Sequence, residues 1–241
     1  MTMIKTKGIV VAVTTFGEHD KLLTVLSEDM GAINVSAKGA TSRHNNLKAM
    51  TRMFCYGEFV LYDKKNGYYT ISEVSPITDF MGLAQDLDRL ETATRLVRFV
   101  KYTAVENEES GELLRLLLNS LHLLANTDKN AELIMCVYFL KALEYMGLPP
   151  VSDECAVCGT TGTESEELCY FAPEAGGLVC ESCAESVGTK MYIEKNTAVL
   201  MNYILVSGVS AAFGIEGSEK LYKNLLEAID LFLKVHLSYN M

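Results

Sequence analysis

The chain has 241 residues, enough for one large domain or two modest ones, and its 49% hydrophobic and 22% charged residues exclude wholesale disorder. Its formal net charge of −10 opposes attraction to nucleic acid over the molecule as a whole. Met1 to Gly8 alternate polar and basic with no apolar core, so no export signal is expected and the location is read as cytoplasmic. In that setting the seven cysteines are expected as thiols or metal ligands, not disulfides.

The first 80 residues read as short strands. Gly8–Thr15 is β-branched and bounded by glycines, Leu22–Ser27 and Ala32–Ala37 flank the turn residue Gly31, and Ile33, Val35 and Ala37 alternate as one buried face. Phe54–Tyr62 and Tyr68–Val74 are joined by Lys65-Asn66-Gly67, where Asn-Gly suits a type I′ hairpin turn. Strands this short, without room for helical crossovers, predict a small five-stranded antiparallel barrel. From Asp79 the period changes. Leu83, Leu87, Leu90, Thr94, Val97 and Lys101 predict a helix with one apolar stripe. The leucine-rich run from Glu112 to Ala125 is apolar nearly all round, which predicts a helix at the centre of a bundle. Ala131–Met146 is a further helix, closed by Gly147 and Pro149. The 20 uncharged residues from Asn196 to Ile215 read as a buried core helix followed by a turn, because Asn, Ser and Gly interrupt them. Ser218–Leu237 completes the helical set. The resulting fold class is α+β multidomain: a barrel domain over 1–80, and a mainly helical domain over 81–241 with a four-cysteine insertion at about 151–190.

Two features carry chemistry. Cys155-Ala-Val-Cys158 is followed, after 21 intervening residues, by Cys180-Glu-Ser-Cys183. Two Cys-x-x-Cys turns present four thiolates to one tetrahedral ion, so Cys155, Cys158, Cys180 and Cys183 are the metal candidates and the ion is read as structural zinc. The rival reading is a thiol redox switch, in a redox-sensitive holdase or sensor. Cys169 is either a spare ligand or a buried free thiol. The second feature is charge. Residues 1–80 hold nine Lys/Arg against eight Asp/Glu, whereas 81–241 hold 12 against 23. No acid lies between Asp29 and Glu58, where Lys38, Arg43, Lys48 and Arg52 fall. A local positive field on a small barrel suits phosphate contact, with Phe54, Tyr56, Tyr68 and Tyr69 as candidate stacking or core aromatics.

Enzyme signatures are missing: there is no phosphate-binding loop, no dinucleotide fingerprint, no nucleophile elbow, and no His-x-Glu to accompany the cysteines. Glu18 and Asp20 read as a turn, and His122 and His236 as core histidines. No enzyme is expected.

Gly17-Glu18-His19-Asp20-Lys21-Leu22-Leu23-Thr24, Ala37-Lys38-Gly39-Ala40, Tyr138 through Pro150, and the cysteine pairs with Gly159, Phe171 and Gly176-Gly177 together resemble the RecO family over nearly the full length. The resemblance implies an oligonucleotide-binding (OB-fold) barrel, contact with single- and double-stranded DNA, strand annealing, and loading of the recombinase onto strands coated by single-strand-binding protein. It implies RecR and the acidic tail of single-strand-binding protein as partners, and association with the nucleoid. In one respect the loop departs from the family pattern: Thr41 and Ser42 stand where two arginines commonly follow Lys-Gly-Ala. Lys5, Lys7 and Lys64 are therefore added to the DNA-binding candidates.

Overall fold

The structure, a computed structural model, describes residues 2–42, 47–64, 67–161 and 167–241. The chain divides into two compact units, Met1–Thr127 and Asp128–Met241. Among the described residues no helix is long and apolar enough to cross a membrane.

In the first unit β1 (Met3–Phe16), β2 (Asp20–Ser27), β3 (Gly31–Ala37), β4 (Cys55–Asp63) and β5 (Tyr69–Asp79) close into a barrel in the order β1-β2-β3-β5-β4. Alternation decides which side chains fill it: Leu23, Val25, Ile33, Val35, Phe59 and Leu61 are fully buried, while their strand neighbours face outward. Gly8 and Gly57 are register partners, and a Cβ on either would stand 2.7 Å from a carbonyl of the next strand. The glycines thus allow the close crossing that the barrel needs.

The expectation of an all-antiparallel sheet is corrected. β3 and β5 pair in parallel, Val35 with Tyr69 and Ser36 with Thr70, so the sheet is mixed. The reason is parity. Directions cannot alternate around a ring with an odd number of strands, so a five-stranded ring must contain one parallel seam. The short helix α1 (Leu47–Met50) stands between β3 and β4 and sets Leu47 and Met50 against the barrel core. Lys65 and Asn66 of the predicted hairpin turn lie outside the described residues. The strands they join are antiparallel, with Asp63 opposite Tyr69.

A 3-10 turn (Met81–Gln85), α2 (Leu87–Thr103) and α3 (Gly111–Asn126) complete this unit. Asp86 caps α2 by accepting from the Asp88 and Arg89 amides at 3.0 and 3.1 Å. The buried face of α2 is Thr92, Ala93, Leu96, Val97, Phe99 and Val100, not the stripe drawn through Leu87 and Lys101; Leu87 is 82% exposed. Arg89 then donates to the carbonyls of Leu124 and Thr127 at 2.7 and 2.6 Å, satisfying the end of α3. The link between α2 and α3 is held to the barrel: Asn107 and Ser110 donate to Met30 and Glu28 carbonyls, and Gly31, at φ +66°, leaves no room for a Cβ beside Val105.

The predicted centre of the bundle is also corrected. α3 buries Leu114, Leu116, Leu117, Leu121 and Leu124 and exposes Glu112, Arg115, Asn119, His122 and Asn126 to varying degrees. Helix α4 (Ala131–Tyr145), in the second unit, is the one buried throughout from Leu133 to Leu143. It is packed by α6 (Lys195–Val206), α7 (Val209–Phe213) and α8 (Glu219–Leu237). The long uncharged run is therefore two helices broken at Ser207-Gly208. Even Lys141 is only 3% exposed; its ammonium donates to Glu144 Oε2 at 2.7 Å and to the Leu205 carbonyl at 2.9 Å. Before α6 the chain forms a small sheet of β6 (Leu168–Ala172), β7 (Gly177–Cys180) and β8 (Met191–Tyr192), in the order β7-β6-β8. Helix α5 (Glu181–Ala184) follows β7 directly.

Candidate metal centre and nucleic-acid interface

The metal centre is built by two turns brought together on β7. Gly159 N–H donates to the Cys155 carbonyl at 2.8 Å, and Gly159 takes φ +72°, folding Cys155 to Cys158 into a tight knuckle. Ala156 donates to Leu178 and Leu178 to Val151, which lays the knuckle along β7. Cys180 ends β7 and Cys183 lies on the first turn of α5, so both point back at the knuckle. All four sulfurs lie within 4.8 Å of one another, and Cys158 Sγ is 3.8 Å from Cys180 Sγ. A tetrahedron with metal–sulfur bonds of about 2.3 Å has edges of about 3.8 Å, so the set fits one ion.

The surrounding amides are arranged for thiolates. Burial acts to raise the Cys155 thiol, but the backbone N–H groups of Cys158, Cys180 and Val157 outweigh it and hold it at about 6; the Cys180 amide is 3.4 Å from the sulfur. Cys183 is pushed the other way, to about 12, because it shares its proton with Cys180 and Cys158. Amides aimed at a sulfur favour its thiolate, the form in which cysteine ligates a metal ion. Cys169 stands apart from the four-sulfur set; it is half-buried on β6, its thiol raised by burial and by Glu181. Cys55 and Cys136 are buried in the barrel and in α4.

Neither of the two expected core histidines lies in the core. His236 is exposed, although its ring packs on Phe232 at 4.1 Å between ring centres and meets the Pro173 carbonyl at 2.8 Å. His122 is exposed and pairs with Asn126, so its core assignment is corrected: it sits on the polar side of α3.

The basic candidates come mainly from one loop, and the structure gathers some of them. Lys21, which the sequence reading missed, donates from Nζ to Thr51 O at 3.0 Å and to Thr51 Oγ1 at 3.1 Å, fastening β2 to the segment after α1. Its ammonium is lowered by burial and by the nearby charges of Arg52 and Lys48. Lys21, Lys48 and Arg52 are thus one positive cluster. The missed signal was register: Lys21 opposes Ala37, one residue before Lys38. Lys38 is exposed beside the β1–β2 turn, where Asp20 Oδ1 accepts from the Gly39 amide at 2.7 Å. Asp20 therefore serves as a loop clamp at the start of β2, where the sequence suggested only a turn. Arg43 lies outside the described residues. Lys5 and Lys7 point outward from the half of β1 that pairs with β4, and Lys5 is bound to Glu58 at 2.9 Å. Lys64 is exposed just past the end of β4. These three are not part of the Lys21 cluster. Of the aromatics, Phe54 and Tyr69 are buried, Tyr56 is half-buried and Tyr68 is 45% exposed.

Two family models match the chain: Recombination protein O N terminal over residues 1–80, and Recombination protein O C terminal over residues 84–240. The chain belongs to the RecO family. It is similar to the DNA repair protein RecO of Acetivibrio thermocellus, 34% identical over 100% of this chain and 94% of that protein. The protein of the same name from Alkaliphilus metalliredigens is 31% identical over 98% and 94% of the two chains. That of Clostridium novyi is 25% identical over 97% and 89%.

Proposed function

We propose that this member of the RecO family is a DNA repair and recombination mediator that binds single-stranded DNA at the basic edge of its barrel. Bound strands are annealed to their complements, and the recombinase is helped onto strands coated by single-strand-binding protein. It acts without turning over a substrate: four sulfurs close the coordination sphere of one structural zinc ion and leave no position for a reactive water. In this reading residues 1–80 are an OB-type barrel that contacts DNA, single- and double-stranded. The zinc belongs to the helical unit Asp128–Met241, while α2 and α3 pack in the same unit as the barrel, and RecR and the acidic tail of single-strand-binding protein are the partners.

The observation that carries the reading is the gathering of Lys21, Lys48 and Arg52 around Thr51 on a barrel, with the exposed Lys38 just past the end of β3, in a chain of net charge −10. Like charges repel, and a fold that assembles them is ready for an anion. The relatives' shared name, DNA repair protein RecO, supports a nucleic acid as that anion.

The test is a salt titration of binding to an oligothymidylate. Each phosphate contact contributes about 0.7 to the slope of log affinity against log salt on single strands. Changing Lys38, Lys48 and Arg52 together to Glu is expected to lower the slope by about 2 and to abolish annealing. Unchanged affinity and slope in that variant would refute the assignment.

A further inference from the structure

Phe16 is 73% exposed at the end of β1, the largest exposure of any phenylalanine among the described residues. A single exposed apolar side chain is ordinary by itself. Here the backbone around it is fixed, and the fixing contacts come from the basic loop. Phe16 is the register partner of Asp20. Asp20 holds the Gly39 amide at 2.7 Å, Thr41 N–H donates to the His19 carbonyl at 3.1 Å, and Thr41 Oγ1 donates to the Glu18 carbonyl at 3.2 Å. Three hydrogen bonds thus tie the turn that follows Phe16 to the loop that begins with Lys38.

Register gives the face. Directly opposed residues of an antiparallel pair share one side of the sheet. Val13 and Leu23 oppose one another and pack into the core, so Thr14 with Leu22 and Phe16 with Asp20, in alternate positions, are on the outer side. The outer row continues from Leu22 to Ser36 and from Ser36 to Thr70, while Thr24 opposes Asn34 in the next row. Lys38, one residue beyond the Lys21–Ala37 pair, extends the Phe16–Asp20 row. Along these rows the outer side chains beyond Asp20 are Thr14, Leu22, Thr24, Asn34, Ser36 and Thr70, none of them charged. Phe16 and Lys38 stand at one margin, and the exposed Tyr68, just before β5, at another. One oxygen of the Asp20 carboxylate accepts from the Gly39 amide, and Glu18 is the exposed acid of the turn.

We propose that Phe16 is a nucleobase-stacking platform of the single-strand site, held ready beside Lys38. This rests on the reading of the barrel as a DNA-binding surface and adds the contact that would distinguish a single strand, whose bases are available, from a duplex, whose bases are already stacked. Charge positions the backbone; an aromatic face is what an unpaired base can use.

The chain contains no tryptophan, so Phe16→Trp introduces one reporter at the site. The intact protein and the variants Phe16→Ala, Phe16→Leu and Phe16→Trp are titrated with an oligothymidylate at several salt concentrations. Phe16→Ala and Phe16→Leu are expected to bind about 5- to 150-fold more weakly with an unchanged salt slope, while Phe16→Trp binds as well as the parent and its fluorescence is quenched. If Phe16→Ala binds like the parent and the indole of the Phe16→Trp variant is not quenched, while the parent binds with a steep salt slope, Phe16 is no contact, although the barrel reading survives. If the parent protein itself does not bind the oligonucleotide at low salt, both fall.

Discussion

Gly177→Ala is expected to cripple the metal centre without touching a ligand. Gly177 is buried on β7, and the segment entering the first cysteine turn runs beside it: Val151 bridges to Gly177 in parallel, donates to the Gly176 carbonyl at 3.0 Å, and accepts from the Leu178 amide at 2.9 Å. A Cβ at 177 would stand 2.2 Å from the Val151 oxygen, 2.6 Å from its nitrogen and 2.9 Å from its carbonyl carbon. These are backbone atoms in a paired segment, so no side chain can swing aside. Relief requires the two segments to part by about 1 Å, which takes both hydrogen bonds beyond bonding distance. Two lost bonds at about 1 kcal/mol each, with a buried amide left unpaired at about 1–3 kcal/mol, give a loss of about 3–5 kcal/mol. Cys180 is three residues along β7 and Cys155 four residues beyond Val151, so the parting separates the two thiol pairs. Urea unfolding of the metal-loaded protein, followed in parallel with metal release to a colorimetric chelator, checks both consequences. A variant with the parent's midpoint and the parent's release rate would show that this strand contact does not hold the site together.

Serine at Cys155, Cys158, Cys180 or Cys183 is expected to reduce bound metal from one equivalent to near none, whereas Cys169→Ser keeps it; elemental analysis of the purified variants decides. Burial raises the Cys136 and Tyr138 groups well above their ordinary values, and the Tyr222 phenol more modestly. Their contribution is complete below the unfolded thiol and phenol values and is lost as pH rises from about 9 toward the folded ones, at about 1.4 kcal/mol per pH unit for each such group. Denaturant midpoints should therefore fall steadily from pH 9 to 11, and Cys136→Ala should delay the onset by about one unit; a flat profile would contradict the burial of these groups. Lys141→Met removes the donor to the Leu205 carbonyl and is expected to cost about 1–3 kcal/mol, measurable by the same unfolding assay.

Much of the architecture was legible because it follows local rules. The five strands, the close of α4 at Gly147, which takes φ +72°, and the two cysteine turns follow patterns of a few residues, and each reappears, although β1 begins five residues before its expected start and β5 runs five residues past its expected end. What the sequence hid is what depends on closure. Alternating apolar residues announce strands but not their directions in a ring, so the parallel β3–β5 seam was not visible. In α3, leucines drew attention from Glu112, Arg115, Asn119, His122 and Asn126, whose three- and four-residue spacing marks one polar side. In the candidate DNA site, a loop could be read for its charges, but Lys21 and Phe16 belong to strands and enter only through pairing. Lys5, Lys7 and Lys64 show the converse: cations close in sequence to the barrel fall on a different stretch of it, where Glu58 answers one of them.

The charge balance of the chain then has a simple reading. Residues 128–241 carry seven Lys/Arg against 16 Asp/Glu, whereas residues 1–127 carry 14 against 15. Fields between exposed charges fade over about 8–10 Å at physiological salt, so a strand approaching the barrel responds to the side chains at that surface and not to the molecular total. The pKa of Lys21 is lowered first by burial and then by the charges of Arg52 and Lys48. Its bonds to Thr51 hold its ammonium beside Arg52. A phosphate entering the cluster would offset that repulsion, so the cost of gathering the charges in the free protein becomes part of the attraction for a nucleic-acid backbone. If the cluster binds DNA as proposed, acidic character elsewhere would aid selectivity by repelling a nucleic-acid backbone from surfaces that carry no such cluster.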